Sequence, residues 1–197
     1  GILVEADART LKRTGKFGKS DLPGLSMPSH VAVIGRTAYI RDNAGVYKLD
    51  LDTKALSFIE GSQGALKNRM AVVGNKVFVP AGKSILVLEN GAVAETIAMD
   101  GTVTGVVKSD EAGYLWISCS ASPAQIIKLA AGDYTQEKHT LTAGGVASGW
   151  GATPGITAKG DEIYFCNNSS TIYRHTFSSN TTETLGDVKS NIANWGM

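Results

Sequence analysis

The chain repeats itself, and that limits it to few folds. The stretch Val31–Glu60, VAVIGRTAYIRDNAGVYKLDLDTKALSFIE, returns about 39 residues on as MAVVGNKVFVPAGKSILVLENGAVAETIAM, Met70–Met99. Val33-Ile34-Gly35 aligns with Val72-Val73-Gly74, Ala38-Tyr39-Ile40 with Val77-Phe78-Val79, and Tyr47-Lys48-Leu49 with Leu86-Val87-Leu88. Further copies run Gly105–Leu141 and Gly155–Val188. Within the first copy, β-prone runs at Val31–Ile34, Thr37–Ile40, Gly45–Leu49 and Ala55–Ile59 are separated by Gly35-Arg36, Asp42-Asn43-Ala44 and Asp50–Lys54. Branched and aromatic residues fit a pleated surface, while Gly, Asn and Asp accept tight-turn dihedrals. One copy therefore reads as a four-stranded antiparallel meander.

A four-stranded unit recurring every few tens of residues predicts an all-β fold, a β-propeller of four-stranded antiparallel blades. A β-sandwich also needs many short strands, but it does not require internal self-similarity. The blades are expected at 25–61, 66–100, 102–143 and 150–188, with a partial blade at 1–22 and the start of another at 189–197. The partial blade carries two strands, Ile2–Ala6 and Leu11–Phe17, around Asp7-Ala8-Arg9-Thr10, an echo of Asp50-Leu51-Asp52-Thr53. At the other end Trp195-Gly196 repeats Trp150-Gly151. About four and a half blades with open edges fit a segment of a larger ring better than a small closed one.

The formal net charge of +1, without basic clusters, argues against a nucleic-acid partner. No apolar run approaches the roughly 20 residues of a membrane helix. Cys119 and Cys166 fall at near-equivalent strand positions and are expected as buried free thiols; a disulfide between blades is the alternative. With no Cys-x-x-Cys and no His-Cys cluster, neither metal nor cofactor is expected.

Propeller ligands sit where the loops leading into each first strand meet the loops joining second to third strands. Those loops nominate His30, Asn43, Arg69, Lys83, Thr104, Ser120, Trp150, Asn167, Asn168 and Trp195 as ligand-binding residues. Aromatic faces with amides and hydroxyls suit a small molecule or glycan. Each has a structural alternative: the two Trp-Gly pairs can pack beneath the next blade, His30 can bond a neighbouring blade's backbone, and Arg69 can meet a buried structural partner. No paired carboxylates and no Ser-His-Asp set gather at these loops, so no catalytic residue is nominated and a non-enzymatic protein is expected. Asp50 and Asp52 look like a cation-binding pair, but Asp is favoured in such a turn anyway.

The Asp-x-x-Thr turns, with GYLWISCSASPAQIIKL (Gly113–Leu129) and IYRHTFSSNTTETL (Ile172–Leu185), resemble YVTN/YncE-like propeller repeats. More specifically, they resemble the DUF5074-like, surface-layer-type propellers of Bacteroidetes. That resemblance implies a seven-bladed ring and export to the periplasm or outer cell surface, commonly as a lipoprotein. It also implies capture of a ligand such as a corrinoid for an outer-membrane transporter, the remaining blades lying on missing or separate chain. A protein–protein scaffold, or a propeller lactonase or lyase, is the alternative function.

Overall fold

The computed structural model describes residues 3–7, 9–18, 20–64, 69–121, 123–141, 156–166 and 171–187. Every regular element there is a β-strand. The chain divides into two compact units, residues 1–67 and 68–197. In the first, β1 (Leu3–Ala6) and β2 (Arg13–Phe17) form a two-stranded sheet. A four-stranded sheet follows, of β3 (His30–Ile34), β4 (Thr37–Arg41), β5 (Val46–Asp50) and β6 (Leu56–Phe58). The second unit holds three such sheets. They are β7 (Ala71–Val73), β8 (Lys76–Pro80), β9 (Ser84–Glu89) and β10 (Ala92–Ala98); β11 (Thr102–Lys108), β12 (Tyr114–Ser120), β13 (Gln125–Ala130) and β14 (Gln136–Thr140); and β15 (Ile156–Lys159), β16 (Glu162–Cys166), β17 (Thr171–Thr176) and β18 (Thr181–Asp187). All pairings are antiparallel between consecutive strands, the meander of a propeller blade.

The turns explain why the strands stop where they do. Asp7 Oδ1 accepts from the Arg9 and Thr10 N–H groups at 3.0 and 2.7 Å; Asp50 Oδ1 accepts from Asp52 and Thr53 at 2.9 and 2.8 Å. The residue after each Thr turns left-handed, Leu11 at φ 55° and Lys54 at φ 64°. The β13–β14 turn keeps this shape with different chemistry. Tyr134 holds φ 63°, while Asp133 takes the Thr position and accepts from the Thr135 N–H at 3.0 Å. Asp50 thus serves as a turn cap, and Asp52 pairs with Arg36 at 2.8 Å.

Alternation along the strands distributes the core. On β12, Leu115, Ile117 and Cys119 pack toward β7–β10, while Trp116 packs toward β15–β18. On β13, Ile127 and Leu129 face the first neighbour and Ile126 the second. Truncating one such buried Leu or Ile to Ala costs about 2–5 kcal/mol, so each face is a major contributor to stability. In the first unit, Phe17 of β2 shares a core with Ala38, Ile40 and Leu49, closed by Leu22 and Leu25. Cys119 and Cys166 are free thiols and buried, as the sequence suggests; burial pushes the Cys119 thiol up to about 12.

The innermost strands approach closely at Gly105, where a bulge lies between Val103 and Gly105. A Cβ at Gly105 would stand 2.5 Å from Ile156 Cγ2 and 3.0 Å from Ser118 Oγ. Ile156 is β-branched and cannot swing its Cγ2 aside cheaply. Gly105→Val is therefore expected to destabilise the chain by about 1–3 kcal/mol, read as a lower urea midpoint at unchanged m-value.

An aromatic seam joins the last two sheets. His175, 0% exposed, contacts His139 (Nε2 to Nδ1, 3.2 Å) and Thr182 (Nδ1 to Oγ1, 3.0 Å). His139 stacks on Phe177 at 3.7 Å, and Phe177 meets Trp116 at 4.7 Å. Burial first, then the neighbouring His139, depress His175 from 6.5 to about 4, against a smaller opposing effect of Asp161. The unfolded chain takes up this proton near 6.5 and the folded chain only near 4. Stability is thus complete above pH 6.5 and falls as the pH drops through that window. His175→Gln is expected to flatten the wild-type decline in urea midpoint between pH 7 and pH 5; an identical decline in both proteins would remove His175 from the account.

Candidate functional site

In the first unit, the nominated loops meet at the paired ends of β3 and β4. His30 lies directly across from Arg41, and Val31 from Ile40. Because strand neighbours alternate, His30 and Arg41 share the face opposite Ile40. Arg41 is fully buried, and its Nε, Nη1 and Nη2 have no hydrogen-bond partner. Burial alone lowers its pKa to about 10, so it remains a cation at neutral pH.

Asp42, the next residue, does not neutralise it. Its carboxylate accepts from the Ser26 N–H (3.0 Å), the Ser26 hydroxyl (2.7 Å), the Met27 N–H (2.7 Å) and the Ala44 N–H (3.4 Å). Burial pushes the Asp42 carboxyl up, but these hydrogen bonds outweigh it and hold it below the ordinary value. Four donors occupy what a carboxylate can accept. They tie the segment leading into β3 to the β4–β5 loop.

The far side of that loop is braced by Ser62. Its hydroxyl accepts from the Val46 N–H at 2.8 Å and donates to the Ile59 carbonyl at 2.6 Å. Gly45, at φ 149°, is required here, since a Cβ would lie 2.7 Å from Ser62 Oγ and 2.9 Å from Ser62 O. The loop tip stays exposed, with Asn43 Nδ2 donating to Met27 Sδ at 3.1 Å. His30 is half-buried and, with Ser29, lines a cleft of about 460 Å3 whose walls include Leu3, Phe17, Leu22 and Ile40.

The second unit braces its loops through backbone. The β8–β9 turn accepts from the Met99 N–H at the Lys83 carbonyl (2.9 Å) and from the Val103 N–H at Gly82 (2.8 Å). The Lys83 side chain is left exposed, as is Arg69. Ser120 is half-buried, and its carbonyl would lie 2.7 Å from a Cβ at Gly101. Thr104 is buried, and its hydroxyl donates to the Ser118 carbonyl at 3.1 Å and meets Ser118 Oγ at 3.0 Å. Trp150, Asn167, Asn168 and Trp195 lie outside the described residues.

The sequence reading did not single out Arg41 or the bracing by Asp42 and Ser62. A signal for Arg41 exists: it is a charge closing the otherwise apolar run Ala38-Tyr39-Ile40. Among the described residues, no group of three or more His, Cys, Asp or Glu is placed to hold a metal ion. No helix there is long and apolar enough to cross a membrane.

No curated protein matches this sequence. Solved structures do match its fold. PorZ, an essential bacterial surface component of the type-IX secretion system of Porphyromonas gingivalis, is 19% identical, with a TM-score of 0.67 over 97% of this chain and 26% of PorZ. Hydrazine synthase of Kuenenia stuttgartiensis is 14% identical, with a TM-score of 0.63 over 82% of this chain and 50% of that one. The Cps50 (Swd1) β-propeller domain of Myceliophteria thermophila is 12% identical, with a TM-score of 0.61 over 84% of this chain and 58% of that one. The chain thus spans half or less of the first two and 58% of the third. At such identity the likeness shows the fold, which hosts unrelated activities. The family model for a domain of unknown function, DUF5074, matches residues 1–195, and the chain belongs to that family.

Proposed function

We propose that this chain is an exported, non-enzymatic binding protein that holds a small molecule or glycan at the loop ends of its blades. The bracing of the second-to-third-strand loops supports this role. In one unit Asp42 and Ser62 fix the loop that exposes Asn43; in the other, Met99 and Val103 fix the turn that exposes Lys83. Side chains displayed on backbone already held in place lose little further freedom on binding, so more of each contact appears as affinity.

Asn43, Lys83 and Arg69 supply polar and cationic contacts, with His30 and Ser120 at half-buried positions. Trp150, Asn167, Asn168 and Trp195 complete the proposed set with flat aromatic faces and amides. Thr104 contributes by fixing the bulge of β11 rather than by direct contact, since its hydroxyl is engaged by Ser118. In its most specific form the proposal is corrinoid capture at the periplasmic or outer surface for a membrane transporter. The likeness to PorZ, a bacterial surface component, is consistent with that placement.

Equilibrium binding of cyanocobalamin, and of a panel of soluble glycans, should reveal one saturable ligand. Arg69→Ala combined with Lys83→Ala is expected to weaken it about tenfold at an unchanged thermal midpoint. Trp150→Ala with Trp195→Ala is expected to abolish it. Turnover of a lactone or polysaccharide by the purified chain would overturn the non-enzymatic assignment.

A further inference from the structure

We infer, building on the binding role proposed above, that Arg41 anchors an oxyanion subsite at the loop end of the first four-stranded sheet. The group it takes is a carboxylate or a phosphate, held by the guanidinium fork.

A guanidinium does not shed its proton, so Arg41 brings a full charge into a site from which water is excluded. An unpaired buried charge is among the costliest arrangements a fold can carry. Elsewhere the described chain compensates its structural arginines. Arg174 meets Glu162 at 3.0 Å and Glu183 at 2.8 Å, and Arg36 meets Asp52 at 2.8 Å. Arg41 has all three nitrogens unpartnered.

The described acids of its own unit are engaged elsewhere. Asp42 is saturated by Ser26, Met27 and Ala44. Asp7 and Asp50 cap turns, Asp21 accepts from the Gly18 N–H, Glu5 faces Lys54 and Glu60 faces Gln63. The counter-charge for Arg41 therefore falls to a group that the unit does not itself supply.

Position favours a ligand. Arg41 stands two residues before the exposed loop tip at Asn43 and directly across from half-buried His30, at the end of the sheet where the loops meet. Carboxylate and phosphate match the fork with two parallel hydrogen bonds, which a lysine cannot reproduce.

Thermal unfolding of the intact chain at constant ionic strength tests this, with inorganic phosphate and citrate as probes against chloride. The wild-type midpoint should rise saturably with phosphate, citrate or both, the stronger response identifying the preferred oxyanion. Arg41→Met should unfold at a higher midpoint than wild type without added anion, because an uncompensated charge has been replaced by an apolar chain, and should lose the anion response. Arg41→Lys should retain the fold and weaken the response by about tenfold or more. A lower midpoint for Arg41→Met in chloride would show that Arg41 has a structural partner and overturn the subsite. So would an anion response equal in wild type and Arg41→Met. An Arg41-dependent anion response without uptake of cyanocobalamin or glycan would leave the subsite standing and remove the capture role; uptake unchanged by Arg41→Met would do the reverse.

Discussion

Each blade is a sheet with two apolar faces, and the rest of the structure follows from keeping water off both. The sheet β11–β14 shows this most directly. Leu115, Ile117 and Cys119 leave one face of β12, and Trp116 leaves the other, each set meeting a different neighbouring sheet. Because the side-chain period is two, a one-residue slip would exchange these sets and bury the wrong volumes on both sides. Turn length is therefore under strong constraint. The left-handed residues Leu11, Lys54 and Tyr134 occupy the same point of three hairpins, although their side chains share no chemistry. The backbone shape is what is kept; the capping group moves from Asp50 to Asp133 as needed.

The same dry packing decides the fate of polar groups near the blade ends. Asp42, Ser62 and Thr104 are buried, and each is hydrogen-bonded by neighbours that it holds in place. His175 is accommodated as a neutral ring between His139 and Thr182. These groups satisfy the rule that burial requires a partner, and each stabilises a loop or a seam. Arg41 breaks the rule in the neighbourhood where loops are most tightly braced. Trp116 Nε1, Gln125 Oε1, Gln136 Oε1 and Arg174 Nε are single buried atoms without a partner, whereas at Arg41 a whole charged group is left so, beside an Asp42 that is fully satisfied.

Much of the fold was legible because repeats carry redundant information. The expected strands Val31–Ile34 and Thr37–Ile40 become His30–Ile34 and Thr37–Arg41, each longer by a single residue. The turn equivalence of Asp7–Thr10 and Asp50–Thr53 is reproduced bond for bond. The site was less legible, for two physical reasons. Loop position alone nominated Thr104, but the bulge in β11 turns its hydroxyl onto Ser118, and bulges leave little trace in composition. Arg41 was passed over because a strand-end charge ordinarily reaches solvent. Only the three-dimensional packing shows that this one does not.

A shared scaffold acquires distinct binding properties most economically where packing constrains geometry but not identity. The last residue of the second strand is such a place. In the four four-stranded sheets it is Arg41, Pro80, Ser120 and Cys166. These are a cation, a residue without an N–H, a hydroxyl and a thiol, at equivalent points of otherwise interchangeable apolar strands. The residues before them, Ile40, Val79, Cys119 and Phe165, are buried apolar side chains that the blade requires. One step further along the chain Arg41, Pro80 and Cys166 are still buried and Ser120 is half-buried, yet the space is filled by side chains of unlike chemistry. Packing at that step constrains the volume filled more than the chemistry that fills it, and such positions are where members of one family can keep a common fold while their blade ends differ.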